Sequence, residues 1–279
     1  MNEYNNLLNN LETLKLEKIR SYLPNYLEEI TNKKIPFQKA FLELTNKEIE
    51  YRDERASRIQ VTVSAFPYEK EIKDFDFDYQ PSIDKSKIED LNTLRFLEKH
   101  ENILFVGSSG VGKTHLAISL GITAAKKRYS VYFISCHDLI TQLNKAHFEN
   151  KLDNRIKHFC RYELLIIDEI GYLPVDKQGA NLLFQLIAKR YEKRSTIITT
   201  NMTFSKWGEV FSDNTLANAI LDRLLHHSHV INITGNSYRI KDKIEQLETS
   251  KKWWYHPSKV SNFKIDIFVQ KVIDIYNNV

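Results

Sequence analysis

Cysteine is almost absent from this chain. Its two cysteines, Cys136 and Cys160, lie far apart and lack the spacing of paired metal ligands. A disulfide framework and a cysteine-based zinc site are therefore not predicted. Reduced thiols in a cytoplasm are the expected state.

Long apolar segments are absent as well. No run approaches the ~18 to 20 apolar residues that a membrane-spanning helix needs. The polar start MNEYNNLLNN shows no basic stretch followed by an apolar one. We therefore expect a cytoplasmic protein without a membrane partner. The net charge is small, +4 over 279 residues, which permits an acidic partner such as nucleic acid but does not require one.

Apolar sequence is sufficient for one sizeable core and a smaller appended region, since 42% of the residues are hydrophobic. Five short apolar runs alternate with helical patterns, at residues 103–106, 131–134, 164–167, 196–199 and 230–233. This alternation predicts an α/β fold with a parallel sheet covered on both faces. A helix over 178–191, with Asp176 as its cap, is the best marked of the covering helices.

A complete phosphate-loop motif follows the first apolar run. Gly107, Gly112, Lys113 and Thr114 match G-x-x-x-x-G-K-[ST] between a strand and a helix. The glycines let backbone N–H groups approach phosphate oxygens, Lys113 would neutralise the outer phosphates, and the Thr114 hydroxyl would bind Mg²⁺. The residues expected to bind the nucleotide are Gly107, Ser108, Ser109, Gly110, Val111, Gly112, Lys113, Thr114 and His115.

Two adjacent carboxylates end the third apolar run, LLIIDE. Ligands bind at the carboxyl ends of strands in such sheets. Asp168 would help to hold Mg²⁺, and Glu169 could polarise the water that attacks the γ-phosphate. A water-activating glutamate beside the metal aspartate favours hydrolysis over small-molecule phosphorylation, because a kinase must keep water from its γ-phosphate.

Further candidates lie downstream. The fourth run ends in the polar residues Thr199, Thr200 and Asn201, which would emerge beside the carboxylates if the two strands are neighbours. Asn201 could bind the attacking water or the γ-phosphate, or form a simple Asx turn. Arg223, in a helical pattern, could be solvated, could pair with Asp222, or could reach a neighbouring subunit's nucleotide. His226, His227 and His229 are not predicted to bind zinc, because no carboxylate or cysteine is expected to complete a ligand set.

The amino-terminal region has a helical apolar spacing interrupted by Pro24, which predicts two short helices. Pro36 can open a third helix with Phe37, Phe41 and Leu44 on one face. A domain boundary is placed near Pro67, after this helix. The following DFDFDY stretch is either an edge strand or a linker that packs its aromatic residues on the core; Phe75 or Phe77 could alternatively line a slot for a nucleotide base.

Basic residues that could contact phosphates occur in three places. Arg52, Arg55 and Arg58 share a helical pattern that is more simply a charged, solvated helix. The second place is the segment 151–158. The third is the tail KKWWYHPSK, where Lys251 and Lys252 accompany aromatic rings that could stack on bases or dock on the protein.

Together these motifs resemble the IstB-like ATPases, helper proteins of insertion-sequence transposition that are related to the DnaC helicase loaders. The resemblance rests on NILFVGSSGVGKTHLAISLG, RYELLIIDEIGYLP, LLFQLIAKRYEKRSTIITTNMTFSKWGEVF and LANAILDRLLHHSHVINITGNSYRIK. Ser108 and Ser109 stand where many relatives have two prolines, and the tail after about residue 248 has no recognised counterpart.

The resemblance implies a P-loop AAA+ core with a five-stranded parallel sheet of order 5-1-4-3-2, preceded by a small helical domain. Its catalytic positions fall on Lys113, Asp168, Glu169, Asn201 and Arg223, and its metal positions on Thr114 and Asp168. The domains would span 1–66, 67–247 and 248–279.

The implied activity is Mg²⁺-dependent ATP hydrolysis by a homo-oligomer assembled on duplex DNA, which works with a cognate transposase. Two other functions remain compatible with the residues. One is a loader of a replicative helicase that binds single-stranded DNA, and the other is an ATP-bound DNA scaffold that does not hydrolyse.

Overall fold

The computed structural model of the protein describes residues 3–241. Its centre is a sheet of five parallel strands, in the order β2-β3-β4-β1-β5. The strands are β1 Asn102–Gly107, β2 Val131–Ser135, β3 Leu164–Ile170, β4 Ser195–Thr200 and β5 Ser228–Ile233. Each of the five apolar runs therefore forms a strand, and the order is the one that the resemblance implied.

Eleven α-helices lie in the described part of the chain. They are α1 Glu3–Thr13, α2 Glu17–Lys33, α3 Phe37–Val63, α4 Lys85–Asn92, α5 Arg95–Glu98, α6 Lys113–Lys126, α7 Cys136–Phe148, α8 Leu152–Arg161, α9 Lys177–Arg190, α10 Trp207–Val210 and α11 Asn214–Leu225. The cap predicted for α9 is confirmed, because the Asp176 side chain accepts a hydrogen bond from the Gly179 N–H. None of the described helices is long and apolar enough to cross a bilayer.

The sheet separates two hydrophobic cores. Alternate residues of β1 point to opposite faces: Leu104 joins the core beneath α7, α9 and α11, whereas Ile103 and Phe105 join the core beneath α6. All three side chains are fully buried. The fold is therefore a three-layer α/β structure in which the carboxyl ends of the strands meet along one edge.

The amino-terminal helices form a third, smaller core, which includes Leu11, Leu23, Tyr26 and Leu44. The helix break predicted at Pro24 is wrong. Pro24 lies inside α2, and the chain turns at residues 14–16 instead, where Lys15 adopts a left-handed conformation (φ 55°). The turn persists because Glu48 of α3 accepts hydrogen bonds from the Lys18 and Ile19 N–H groups in the first turn of α2.

The third helix begins after Pro36 as predicted, but the prediction that Phe37, Phe41 and Leu44 form one apolar face is wrong. Leu44 is buried, whereas Phe37 and Phe41 are 79% and 55% exposed and stack on each other at the surface. Arg52 and Arg55 bind Glu48 and Glu17 within the helical region. These ion pairs favour the charged-helix interpretation over phosphate contacts.

The carboxyl-terminal turns of α3 reach the sheet. Val61 is buried in the core beneath α6, Phe66 packs against it, and the Ser64 carbonyl accepts a hydrogen bond from the Phe133 N–H of β2. The domain boundary near residue 67 stays a prediction. The DFDFDY stretch is a linker without strand structure, in which Phe75 is buried against the core.

Candidate nucleotide site

The phosphate loop turns from β1 into α6 through two left-handed glycines. Gly110 has φ 79°, and Gly112, the residue before α6, has φ 100°. A Cβ atom at Gly112 would stand 2.5 Å from the Phe75 ring, and one at Gly110 would stand 2.0 Å from the Ser237 hydroxyl oxygen. Only glycine fits both the backbone and the space at these positions. The loop therefore presents its backbone at the start of a helix, which favours binding of an anion.

Lys113 is folded back on the loop. Its ammonium donates hydrogen bonds to the carbonyl oxygens of Gly107 (2.7 Å) and Ser108 (2.6 Å), and the residue is only 9% exposed. Burial lowers the pKa of Lys113 to about 8, from an ordinary 10.5, although the nearby Asp168 carboxylate opposes this shift. An incoming phosphate would supply the negative charge that the buried ammonium lacks.

Asp168 lies at the end of β3, between two hydroxyls. Its Oδ1 accepts hydrogen bonds from Thr114 Oγ1 (2.9 Å) and Thr199 Oγ1 (2.5 Å). Burial raises the pKa of Asp168, against the effect of these two hydrogen bonds. A hydroxyl and a buried carboxylate are oxygen ligands of the kind that Mg²⁺ prefers, so Thr114 and Asp168 fit a magnesium site.

Glu169, the second-last residue of β3, has a left-handed conformation (φ 63°) where the β3–β4 register shifts. Its N–H donates to Thr199 Oγ1 at 2.9 Å, and its side chain is exposed to the cavity above the loop. Asn201, one residue beyond β4, is exposed at the same cavity. The structure therefore brings both residues to the site, as the strand order requires.

Sequence reasoning missed one residue of this site and the role of another. Thr199 was expected beside the carboxylates if the two strands are neighbours, which they are, but it was assigned no role; it bonds both Asp168 and the backbone of Glu169. Arg239 also lines the cavity, which measures about 440 Å³, with its Nη1 3.5 Å from the Ser109 hydroxyl. Arg239 was missed because it is far from the phosphate loop in sequence; its only local signal was a basic residue in GNSYRIK.

The segment that carries Arg239 is fastened to the phosphate loop and to the aromatic linker. The Tyr238 N–H donates to the Gly110 carbonyl at 2.9 Å, and its hydroxyl donates to the Asp76 carbonyl. The Phe75 ring packs against Tyr238 and His115. His115 Nε2 lies 3.2 Å from the Glu71 carbonyl oxygen, and Val111 is fully buried. The side chains of His115 and Val111 therefore hold the loop in place.

Arg223 does not line the cavity of its own chain. Its guanidinium lies over the Phe184 ring of α9, 4.7 Å from the centroid, and Nη1 donates to the Ala219 carbonyl at 2.9 Å. The side chain is half-buried. Among the described residues, no ion pair joins it to Asp222. The described contacts of the guanidinium are therefore with α9 and α11 and not with the phosphate loop.

The histidine cluster near α11 differs from its prediction. Glu192, from the turn between α9 and β4, lies beside His226 and His227, whereas His229 bonds Glu101 instead. Glu192, which is distant in sequence, therefore supplies the carboxylate that the histidines lacked as a set of metal ligands.

The two cysteines are free, and burial raises the pKa of Cys136 to about 12. Lys251 and Lys252 lie outside the described residues.

Comparison with known proteins adds to this geometry. The family model described as "IstB-like ATP binding protein" matches residues 9–246. The chain is 55% identical over 241 residues to the insertion sequence IS232 putative ATP-binding protein of Bacillus thuringiensis subsp. berliner, an alignment that covers 86% of this chain and 96% of that protein. It is 46% identical over 217 residues to the insertion sequence IS5376 putative ATP-binding protein of Geobacillus stearothermophilus, covering 78% and 86%.

Among solved structures, the chain is similar to DnaI, with 18% identity and a TM-score of 0.51 over 63% of this chain and 94% of that chain. This likeness concerns the fold alone. Taken with the sheet order and the family match, it confirms the predicted fold class, a P-loop AAA+ core preceded by helices.

Proposed function

Because the chain belongs to the IstB-like ATP-binding protein family, we propose that it is an ATP hydrolase that assists insertion-sequence transposition by assembling on duplex DNA. The observation that carries the proposal is the position of Glu169. It stands exposed beside the buried Asp168–Thr114 pair, in the cavity above the phosphate loop. A carboxylate placed there can accept the proton of an attacking water.

In this proposal each residue at the cavity has one role. The loop amides and Lys113 bind the β- and γ-phosphates. Thr114 and Asp168 would hold Mg²⁺, which when bound would supply positive charge beside the phosphate oxygens. Glu169 takes a proton from water as the water oxygen bonds to the γ-phosphorus and the bond to the β-phosphate oxygen breaks. Asn201 orients that water, and Arg239 adds positive charge beside Ser109.

Arg223 has a different role in this proposal. Since it does not line the nucleotide cavity of its own chain and lies instead over the Phe184 ring, it acts on the nucleotide of a neighbouring subunit. Hydrolysis then depends on assembly, and ATP serves as a switch for a homo-oligomer on DNA. Release of DNA, or its transfer to a cognate transposase, follows hydrolysis. The relatives named for insertion sequences support this setting.

The decisive experiment mixes two inactive variants. Glu169→Gln keeps Arg223 but lacks the base, and Arg223→Ala keeps the base but lacks the guanidinium. Each alone should lose ATP turnover, by on the order of 10³-fold for Arg223→Ala, yet bind nucleotide normally. Mixed on duplex DNA, they should regain part of the activity, because some interfaces then combine an intact base with an intact arginine.

Arg95→Ala is the matched control, since Arg95 is an exposed arginine on the distant helix α5. It should leave turnover unchanged. Failure of the mixture to regain activity, although both variants co-sediment on DNA, would refute the shared site. Turnover that responds to single strands rather than duplex would favour helicase loading, and absence of turnover under every condition would favour the scaffold.

A further inference from the structure

Three side chains of types that bind metals lie together at the amino ends of the strands, whereas the nucleotide cavity lies at the carboxyl ends. This group consists of Glu192, which follows α9, and of His226 and His227, which follow α11. All three residues are exposed, and their ligand atoms lie within 4.8 Å of one another. Since β4 and β5 begin directly after these turns, the group sits at the amino ends of the strands.

The distances are close to those of a tetrahedral zinc site. Glu192 Oε1 is 3.8 Å from His226 Nδ1 and 3.5 Å from His227 Nε2. Two ligands bound to one tetrahedral Zn²⁺ at about 2.1 Å lie roughly 3.4 Å apart. Small side-chain rotations would therefore bring the three atoms into one coordination sphere, and water could fill the fourth position.

The surroundings fit the same interpretation. The Tyr191 hydroxyl lies 2.6 Å from His226 Nδ1, so it holds that imidazole near Glu192 until a metal replaces the hydrogen bond. The two imidazole rings are 4.0 Å apart, centroid to centroid. Two imidazoles and one carboxylate suit Zn²⁺, whereas Mg²⁺ prefers an all-oxygen site such as Thr114 and Asp168.

We propose that Glu192, His226 and His227 bind one Zn²⁺ ion, which fastens the end of α9 to the end of α11. The two helices already pack against each other. A metal between the turns that follow these helices closes a loop of 35 residues, from Glu192 to His226. It should therefore stabilise the folded chain and hold α11, the helix that carries Arg223, against α9. This proposal stands whether or not the chain hydrolyses ATP.

The test is a zinc titration of the full chain, with excess Mg²⁺ and without nucleotide, read by calorimetry and by the rise in melting temperature. The wild-type chain should bind one equivalent that Glu192→Gln and His227→Ala bind about tenfold more weakly or worse, since even residues that only support a metal ligand contribute 10 to 100-fold. The zinc-dependent rise in melting temperature should disappear in the same variants.

His147→Ala is the matched control, because His147 is an exposed histidine outside the group. It should bind zinc as the wild type does. Co²⁺ in place of Zn²⁺ should give the visible absorption of a tetrahedral site in the wild type and in His147→Ala only. Equal zinc affinity in all four chains, or no bound equivalent in the wild type, would overturn the proposal. All these chains can be checked for unchanged melting temperature without metal.

Discussion

The Lys113 ammonium is a buried cation, and within residues 3–241 its only direct hydrogen-bond acceptors are two backbone carbonyls of its own loop. Carbonyl oxygens carry partial charge and cannot replace the water that the ammonium has lost. For this reason its pKa lies at about 8. A triphosphate supplies full negative charge at the same place, so nucleotide binding should raise the pKa of Lys113 again.

This difference predicts a pH dependence. Below about pH 8, Lys113 is protonated in the free protein as well as in the complex. Its titration should therefore not change the affinity for a non-hydrolysable ATP analogue in that range. Above that value the affinity should fall, by at most about tenfold per pH unit, because the free protein must then take up a proton to bind. Equilibrium binding measured across this range checks the expectation.

The same pKa shift of Lys113 also affects the stability of the free folded protein. A lysine whose pKa is lowered by folding destabilises the free protein at neutral pH, and this penalty disappears as pH rises from about 8 towards 10.5. Lys113→Arg is the control for binding, because a guanidinium stays protonated throughout. A decline of equal steepness in Lys113→Arg would show that another group titrates.

At the scale of elements, the start of α2 is capped from another helix. Leu16, the residue before α2, offers no side-chain cap. Glu48 of α3 supplies it: its Oε2 accepts hydrogen bonds from the N–H groups of Lys18 (2.9 Å) and Ile19 (3.1 Å). Arg52 binds the other oxygen of Glu48 and the Lys15 carbonyl, both at 2.8 Å. The turn between α1 and α2 is thus fixed by α3.

Removal of this cap should loosen the helical region. We expect Glu48→Ala to lower the free energy of unfolding by roughly 1–3 kcal/mol, since two N–H groups lose their acceptor. Glu48→Gln should lose less, because an amide oxygen still accepts. Urea unfolding followed by circular dichroism measures both variants.

The same carboxylate predicts an acid sensitivity. Burial raises the pKa of Glu48, but its hydrogen bonds from Arg52, Ile19 and Lys18 outweigh this effect, so the net pKa is lowered. Its contribution is therefore present above about pH 4.5 and is lost as pH falls through the lowered value. Glu50→Ala, an exposed change on the same helix, should alter neither stability nor its pH dependence; a comparable loss there would contradict the capping role.

At the scale of the whole molecule, α3 belongs to two cores. Leu44 is buried among the amino-terminal helices, and Val61 is buried beneath α6. The Ser57 hydroxyl donates to the Lys126 carbonyl at 3.0 Å, and Asp53 pairs with Arg128. The helix therefore couples the amino-terminal region to the nucleotide-binding core mechanically.

Two truncations should separate these contributions. A chain that begins at residue 54 keeps Val61 and Phe66 against the core, whereas one that begins at residue 67 removes both. We expect the shorter chain to be less stable by roughly 2–5 kcal/mol, because full burial of an apolar side chain contributes about 1.5–3 kcal/mol, Val61 is buried and Phe66 is partly buried. Denaturant unfolding of the two chains measures the difference, and equal stability would support an independent domain that begins at residue 67.

The sequence by itself determined the features that depend on neighbouring residues. The five strands follow from continuous apolar runs, and the phosphate loop and the Asp168–Glu169 pair follow from short motifs, because local backbone geometry and consecutive side chains suffice to define them. The family resemblance, which rests on those same segments, was also confirmed.

The tertiary structure alone decided which distant residues meet. It brought Thr199 and Arg239 to the phosphate loop, Glu48 to the start of α2, and Glu192 to His226 and His227. It also moved the helix break from Pro24 to residues 14–16. In each case the deciding interaction joins side chains or N–H groups on different elements. Its strength depends on strand order and helix packing, which no local pattern of residues specifies.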